Sequence, residues 1–184
     1  LATWGGQSAG LARFSSISEE IKKYRYDSSD SNSVTTWALR ALMVDKDDVW
    51  VATDGGGICR IDTKEDSVHN KYNSEESIFS TALPQWTNHM TKDSKGRIWV
   101  CSSEGLFVYE NGECHRKKIA SDDESNVQNE VKMAIELQDG SILVATASNG
   151  LQLYDENQSS FSNFSIKNNL PSTISSVCQD SIGN

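Results

Sequence analysis

Proline is nearly absent, with two residues in 184, Pro84 and Pro171. No stretch sustains a helical hydrophobic period for three turns, so a helical bundle is excluded. No apolar run approaches the roughly 18–20 residues that cross a bilayer as a helix, and no basic-then-apolar leader opens the chain. The first residues, Leu1-Ala2-Thr3, lack an initiating methionine, which suggests a segment excised from a longer chain. Positive charge is scarce: 17 Lys and Arg stand against 26 Asp and Glu, for a net charge of −9. So acidic a surface repels phosphate backbones and anionic lipid, which argues against nucleic acid and membrane surfaces as partners. The four cysteines, Cys59, Cys101, Cys114 and Cys178, form no C-x-x-C pair, and His69, His89 and His115 have no zinc-like spacing. At 20.3 kDa the chain can bury about 70% of its unfolded surface and needs no disulfide framework. All four cysteines are therefore expected as small buried hydrophobes with free thiols. No cofactor or metal is implied.

What is present is an internal repeat. Leu1-Ala2-Thr3, Trp50-Val51-Ala52-Thr53, Trp99-Val100-Cys101-Ser102 and Leu143-Val144-Ala145-Thr146 resemble one another. Each precedes a glycine-containing turn and then Gly-Leu or Gly-Ile: Gly10, Gly57, Gly105 and Gly150, spaced 47, 48 and 45 residues apart. Short apolar runs follow and end at Phe14, Ile61-Asp62, Tyr109-Glu110 and Tyr154-Asp155.

Within one period the pattern reads as four short strands. In the second repeat these are 37–44, 49–53, 57–62 and 67–72, joined by turns rich in Asp, Gly and Lys. The fold class is all-β, and a four-stranded antiparallel unit of this length fits the blade of a β-propeller. A lone blade has two apolar faces and cannot bury both, so Trp50 and Trp99 are expected to pack in seams between blades. The repeats fall at about 1–36, 37–85, 86–128 and 129–172, with 173–184 beginning a further blade, so the chain is read as a single region of a partial propeller. The alternative is that a strand over 173–180 pairs with the opening strands, 1–26, and closes a four-blade ring.

At these residues the chain resembles the two-component regulator propeller repeat. The likeness rests on Leu170-Pro171-Ser172-Thr173-Ile174 through Asp180 and Gly183, on Asp93 with Gly96-Arg97-Ile98-Trp99, and on Gly150-Leu151 through Tyr154-Asp155. Departures are Ala52 and Ala145 at positions that usually hold glycine, Leu143 in place of tryptophan, and Trp86 near a usually small polar position. The resemblance implies the extracytoplasmic sensor region of a hybrid two-component histidine kinase, often built from two tandem propellers and often recognising oligosaccharides. It further implies a periplasmic location, a membrane-anchored parent chain with its kinase elsewhere, and no catalysis in this segment. Partners would be an oligosaccharide ligand and, through open blade edges, the rest of the parent propeller or another copy.

In a four-stranded blade, the connection into the innermost strand and the second hairpin loop share one face. Those connections are 27–37, 74–86, 119–130 and 167–173, and the loops are 4–9, 54–56, 103–104 and 147–149. Counting back 13 positions from Trp50, Trp99 and Leu143 gives Trp37, Trp86 and Glu130. Two indoles there could stack on sugar faces, with Arg40, Asn88, His89 and Lys132 as hydrogen-bonding groups; the competing expectation is that both indoles are caps buried under their own connections.

Other motifs carry less. Gly6-Gln7-Ser8-Ala9-Gly10 matches a nucleophile elbow but fills a hairpin loop. Asp93 to Trp99 resembles the aspartate box of sialidase-type propellers with one extra residue. Gly55-Gly56-Gly57 lacks the helix and lysine of a phosphate-binding loop. The acidic runs Asp45/Asp47/Asp48 and 122–124 lack calcium-loop spacing. Two functional alternatives remain: a propeller lyase or glycosidase-like enzyme, for which only His89 lies on a channel strand, and a protein-binding scaffold.

Overall fold

The computed structural model describes residues 10–80, 83–119 and 130–183. The protein is all-β and is built from antiparallel β-propeller blades. Strands β1 (Leu11–Phe14) and β2 (Ile21–Tyr24) form a hairpin in the first repeat. The second repeat is the sheet β3 (Leu39–Asp45), β4 (Asp48–Thr53), β5 (Ile58–Asp62) and β6 (Ser67–His69). The third is β7 (Thr87–Lys92), β8 (Ile98–Ser102), β9 (Gly105–Glu110) and β10 (Glu113–Lys117). The fourth is β11 (Val131–Glu136), β12 (Ile142–Thr146), β13 (Leu151–Asp155) and β14 (Ser160–Asn163), followed by a short helix α1 (Phe164–Asn168). In all three complete sheets, strands pair in chain order. The first repeat shows this hairpin among the described residues; residues 1–9, where the Leu1-Ala2-Thr3 segment and the loop 4–9 are expected, lie outside them.

The repeated sequence motif has a physical cause in each blade. The hydroxyl closing each second strand donates to the carbonyl of the repeat glycine: Thr53 to Gly57 at 2.7 Å, Ser102 to Gly105 at 2.8 Å and Thr146 to Gly150 at 2.9 Å. All three hydroxyl residues are buried. The glycines take positive φ, from 66° at Gly150 to 152° at Gly10, where other residues are strained. A Cβ on Gly150 would also lie 2.3 Å from Ser165 Oγ, which accepts the Leu151 N–H at 2.7 Å.

The chain divides into two compact units, Leu1–Thr87 and Asn88–Asn184. In the first, Leu11 and Tyr24 of the hairpin pack with Val34, Val51, Cys59 and Ile61 of the next blade. The Tyr24 hydroxyl also donates to Asp66 at 2.9 Å. Trp50 is stacked on Phe79 of the connection that follows its blade, at 5.9 Å, with the Arg60 guanidinium 5.5 Å from its ring.

In the second unit the faces of two blades meet. Trp99, Cys101, Leu106 and Val108 pack with Val131, Val144, Tyr154 and Phe161. Trp99 meets Tyr154 edge-on at 5.4 Å, the seam position expected for it. Asp93 organises the turn before it. Its carboxylate accepts from the Arg97 backbone at 2.9 Å, Arg97 Nε at 2.6 Å and Trp99 Nε1 at 2.8 Å, and Arg97 also forks onto Glu156 at 2.8 and 2.9 Å.

Residues 173–180 belong to no sheet among the described residues, but the Ile174 N–H donates to the Thr146 carbonyl at 3.0 Å and the Thr173 hydroxyl to the Ala147 carbonyl at 2.9 Å. They are held as the inner strands are. Ser94 donates to Glu136 through its N–H and hydroxyl at 2.8 and 2.6 Å. Gln138 likewise joins Gln179 and Asp180 at 2.8 and 3.1 Å. Gly183 closes a turn onto Asp180 as Gly96 does onto Asp93. One expectation is corrected, that of cysteine burial: Cys59 and Cys101 are buried, Cys114 is partly so, and Cys178, on this stretch, is exposed; all four are free. No helix among the described residues is long and apolar enough to cross a membrane.

Candidate ligand-binding residues

The seven residues singled out from sequence divide between the units. Trp37, Arg40 and Trp86 belong to the first; Asn88, His89, Glu130 and Lys132 belong to the second.

In the first unit, Trp37 and Trp86 are 46% and 50% exposed, so neither is a buried cap. Trp37 ends the connection into β3 and meets Tyr26 edge-on at 5.6 Å. Trp86 is held where the next connection ends, by a bridge to Asp54. The preceding residue, Gln85, supports it, because its carbonyl accepts from Gly55 N–H at 3.0 Å and Gly57 N–H at 2.8 Å. At Gly55 it is the positive φ of 85° that calls for glycine, since a Cβ there would only make ordinary contact with Trp86 Nε1 at 3.7 Å. Arg40 is the bulged residue between Leu39 and Ala41, and its guanidinium pairs with Asp54 at 3.1 Å. A bulge re-aims a side chain off the regular pleat. Asp54 thereby joins Arg40 to Trp86. From sequence, Asp54 is legible only as part of a loop on that face, and its location between the strand-closing Thr53 and Gly55 is the signal that marks it.

In the second unit, Lys132 occupies the same bulge, between Val131 and Met133. Its ammonium pairs with Glu130 at 2.7 Å, and Asn88 Nδ2 donates to Glu130 at 3.1 Å and to the Val131 carbonyl at 2.8 Å. Asn88, Glu130 and Lys132 thus form one internally satisfied cluster. His89 stands apart from it, with Nδ1 buried and finding no partner among the described residues. Burial pushes its imidazole below the usual histidine range, which favours the neutral ring at neutral pH.

Trp37 is not the counterpart of Trp86. The turn after β3 spans Asp45 to Asp48, whereas those after β7 and β11 run from Asp93 to Arg97 and from Leu137 to Ser141. The count of 13 therefore overshoots by one in the second repeat. Ala38 is the residue whose carbonyl takes the Asp54 N–H at 2.8 Å, as Glu130 takes that of Ala147 at 2.9 Å.

The acidic run beside β4 is occupied by cations of the protein, with Lys64 on Asp47 at 2.6 Å and Arg60 3.9 Å from Asp48. Among the described residues no group of three His, Cys, Asp or Glu could hold a metal. The run at 122–124 lies outside them.

No family model matches the chain, and no curated protein matches it. Solved structures do share the fold. The extracellular domain of a protein named as a hybrid two-component system of B. thetaiotaomicron superposes with a TM-score of 0.74 over 95% of this chain at 22% identity. PorZ, a surface component of the type-IX secretion system of Porphyromonas gingivalis, does so with a TM-score of 0.61 over 91% at 15% identity. This chain spans 22% and 26% of the length of those two proteins, and at such identities the likeness is one of fold.

Proposed function

We propose that this chain is part of the extracytoplasmic ligand-sensing propeller of a hybrid two-component sensor kinase, and that it recognises an oligosaccharide. Ligand occupancy would be relayed to a kinase elsewhere in a membrane-anchored, periplasm-facing parent chain. The segment itself serves as a binding module. The observation that carries this reading is the exposure of Trp37 and Trp86, while Trp50 and Trp99 are 4% and 0% exposed. Half-exposed indoles with a fixed Arg40–Asp54 pair nearby combine an apolar platform with polar groups that fix orientation, as sugar recognition requires. Asn88, Glu130 and Lys132 are proposed as a second set of polar contacts, and His89 as a neutral wall beside them. The fold shared with an extracellular two-component domain supports the sensor part of the reading.

Residues 173–183 are proposed as the inner strand and first turn of a further blade. Support comes from the clasp and the glycine turn they share with β7 and β11.

Calorimetric titration with oligosaccharides tests the binding reading. Trp37→Ala and Trp86→Ala should each abolish measurable heat, and unchanged affinity in both would remove the site. Turnover of any titrated sugar that His89→Ala abolishes would instead favour a propeller enzyme.

A further inference from the structure

The connection between β2 and β3 folds over a cleft of about 280 Å³, wholly within the first unit, that the site above does not include. Tyr26 and Tyr72 line it, and Val34 and Thr35, both buried, lie at its base. Asp27 and Asp30 also line it, among serine hydroxyls, and no lysine or arginine does. Lys71, with Nζ 5.3 Å from the Tyr72 ring, is outside the lining and donates to Gln85 at 2.6 Å.

The cleft is preformed. Buried Asn70 reaches up from the end of the second blade, and its Nδ2 donates to the carbonyls of Ser31 and Ser33, each at 2.9 Å. Asn73 Nδ2 adds a bond to Asn32 at 3.0 Å. Asp27 is fixed by the Ser29 hydroxyl at 2.6 Å and the Ser29 N–H at 2.8 Å. Those two bonds hold its carboxyl below the usual range, so it is charged. A loop ordered in advance loses little entropy when a ligand enters. The cleft adjoins the site, because the Tyr26 ring that lines it also meets Trp37 edge-on at 5.6 Å.

We infer that this cleft is a subsite of the oligosaccharide site that takes one uncharged sugar ring and rejects rings bearing carboxylate or sulfate. The inference rests on the saccharide reading of Trp37 and Trp86. Its volume of about 280 Å³ falls just below the usual range of ligand pockets, roughly 300–1,000 Å³, and suits a single ring. Tyrosine faces take the apolar C–H side of a sugar, and carboxylates accept paired hydroxyls. A uronic or sulfated ring would bring a further negative charge beside Asp27 and Asp30 on a protein already at −9.

The test is a titration of the whole chain, followed by NMR and calorimetry, with cellohexaose, xylohexaose and mannohexaose against hexagalacturonic acid. A neutral hexaose should shift the Tyr26, Tyr72 and Ser31 signals, and Tyr72→Ala should weaken it at least tenfold. Tyr72 is 63% exposed, so this variant keeps its fold. Asp27→Asn with Asp30→Asn should narrow the preference for neutral over acidic sugar at least fivefold. If a neutral hexaose shifts Trp86 but leaves Tyr72 unmoved, and Tyr72→Ala binds as before, the subsite is overturned while the site stands. Equal occupancy of the cleft by hexagalacturonic acid overturns the charge selection. If none of the four sugars binds, the saccharide reading falls and the subsite with it.

Discussion

The two units handle their aromatic residues in opposite ways. In the second, Trp99, Tyr154 and Phe161 close the seam between two blades, and no described aromatic is exposed. In the first, Phe14, Trp37, Tyr72 and Trp86 all face solvent, while Trp50 and Phe79 are buried together. The same repeat is thus built with different surpluses. One unit spends its rings on internal packing; the other holds rings that its own core does not use. Exposed rings fixed by backbone bridges and polar anchors are candidates for binding, whereas rings in a seam stabilise.

That contrast can be broken most sharply at the seam. Trp99→Ala should destabilise the second unit by about 3–5 kcal/mol, and Asp93→Ala by a comparable amount, because it strips buried Arg97 of one partner. Urea unfolding would show both as a lower midpoint. Trp37→Ala and Trp86→Ala should change stability by no more than about 1 kcal/mol, since half of each ring is already in water. A loss of several kcal/mol in either would make these indoles packing residues and erase the difference between the units.

A smaller effect should appear with pH. The hydrogen bonds from Arg97, with Lys95 beside them, lower the Glu156 carboxyl to about 2, outweighing its slight desolvation. Its folded pKa lies below the unfolded one, so its stabilisation is complete above pH ~4.5 and fades as pH falls toward 2. Being largely exposed, the group contributes at most about 1 kcal/mol. Glu156→Gln should flatten that part of the acid unfolding curve, and an unchanged curve would mean the fork adds nothing in solution.

Smallest in energy, but easy to read, is thiol labelling. Cys178 should react first. Cys114, raised by burial to about 11, should lag, and Cys59 and Cys101, which burial also raises, should wait for unfolding.

Much of the fold was legible in the chain because its causes are local. A glycine forced to positive φ and a hydroxyl closing the turn before it must recur at fixed spacing, and they do at Gly57, Gly105 and Gly150. The seam position of Trp99 followed from the same period. The site was less legible. A single residue's difference in the turn after β3 shifts Trp37 out of register with Trp86, and no periodic count can see it. The bulges that re-aim Arg40 and Lys132 arise from pairing across strands rather than from residue identity. Asn70 reads as an ordinary polar residue at a strand end, yet it fixes a loop 37 to 39 positions earlier in the chain. Exposure of Cys178 was likewise hidden, because free cysteine by type is among the most buried residues.

The most direct measurement is of the indole N–H signals of Trp37, Trp50, Trp86 and Trp99 while a neutral oligosaccharide is added. Trp37 and Trp86 should shift with a shared saturation curve, and Trp50 and Trp99 should stay fixed. Shifts confined to Trp50 and Trp99, or saturable binding that moves none of the four, would contradict placing recognition on the exposed rings of the first unit.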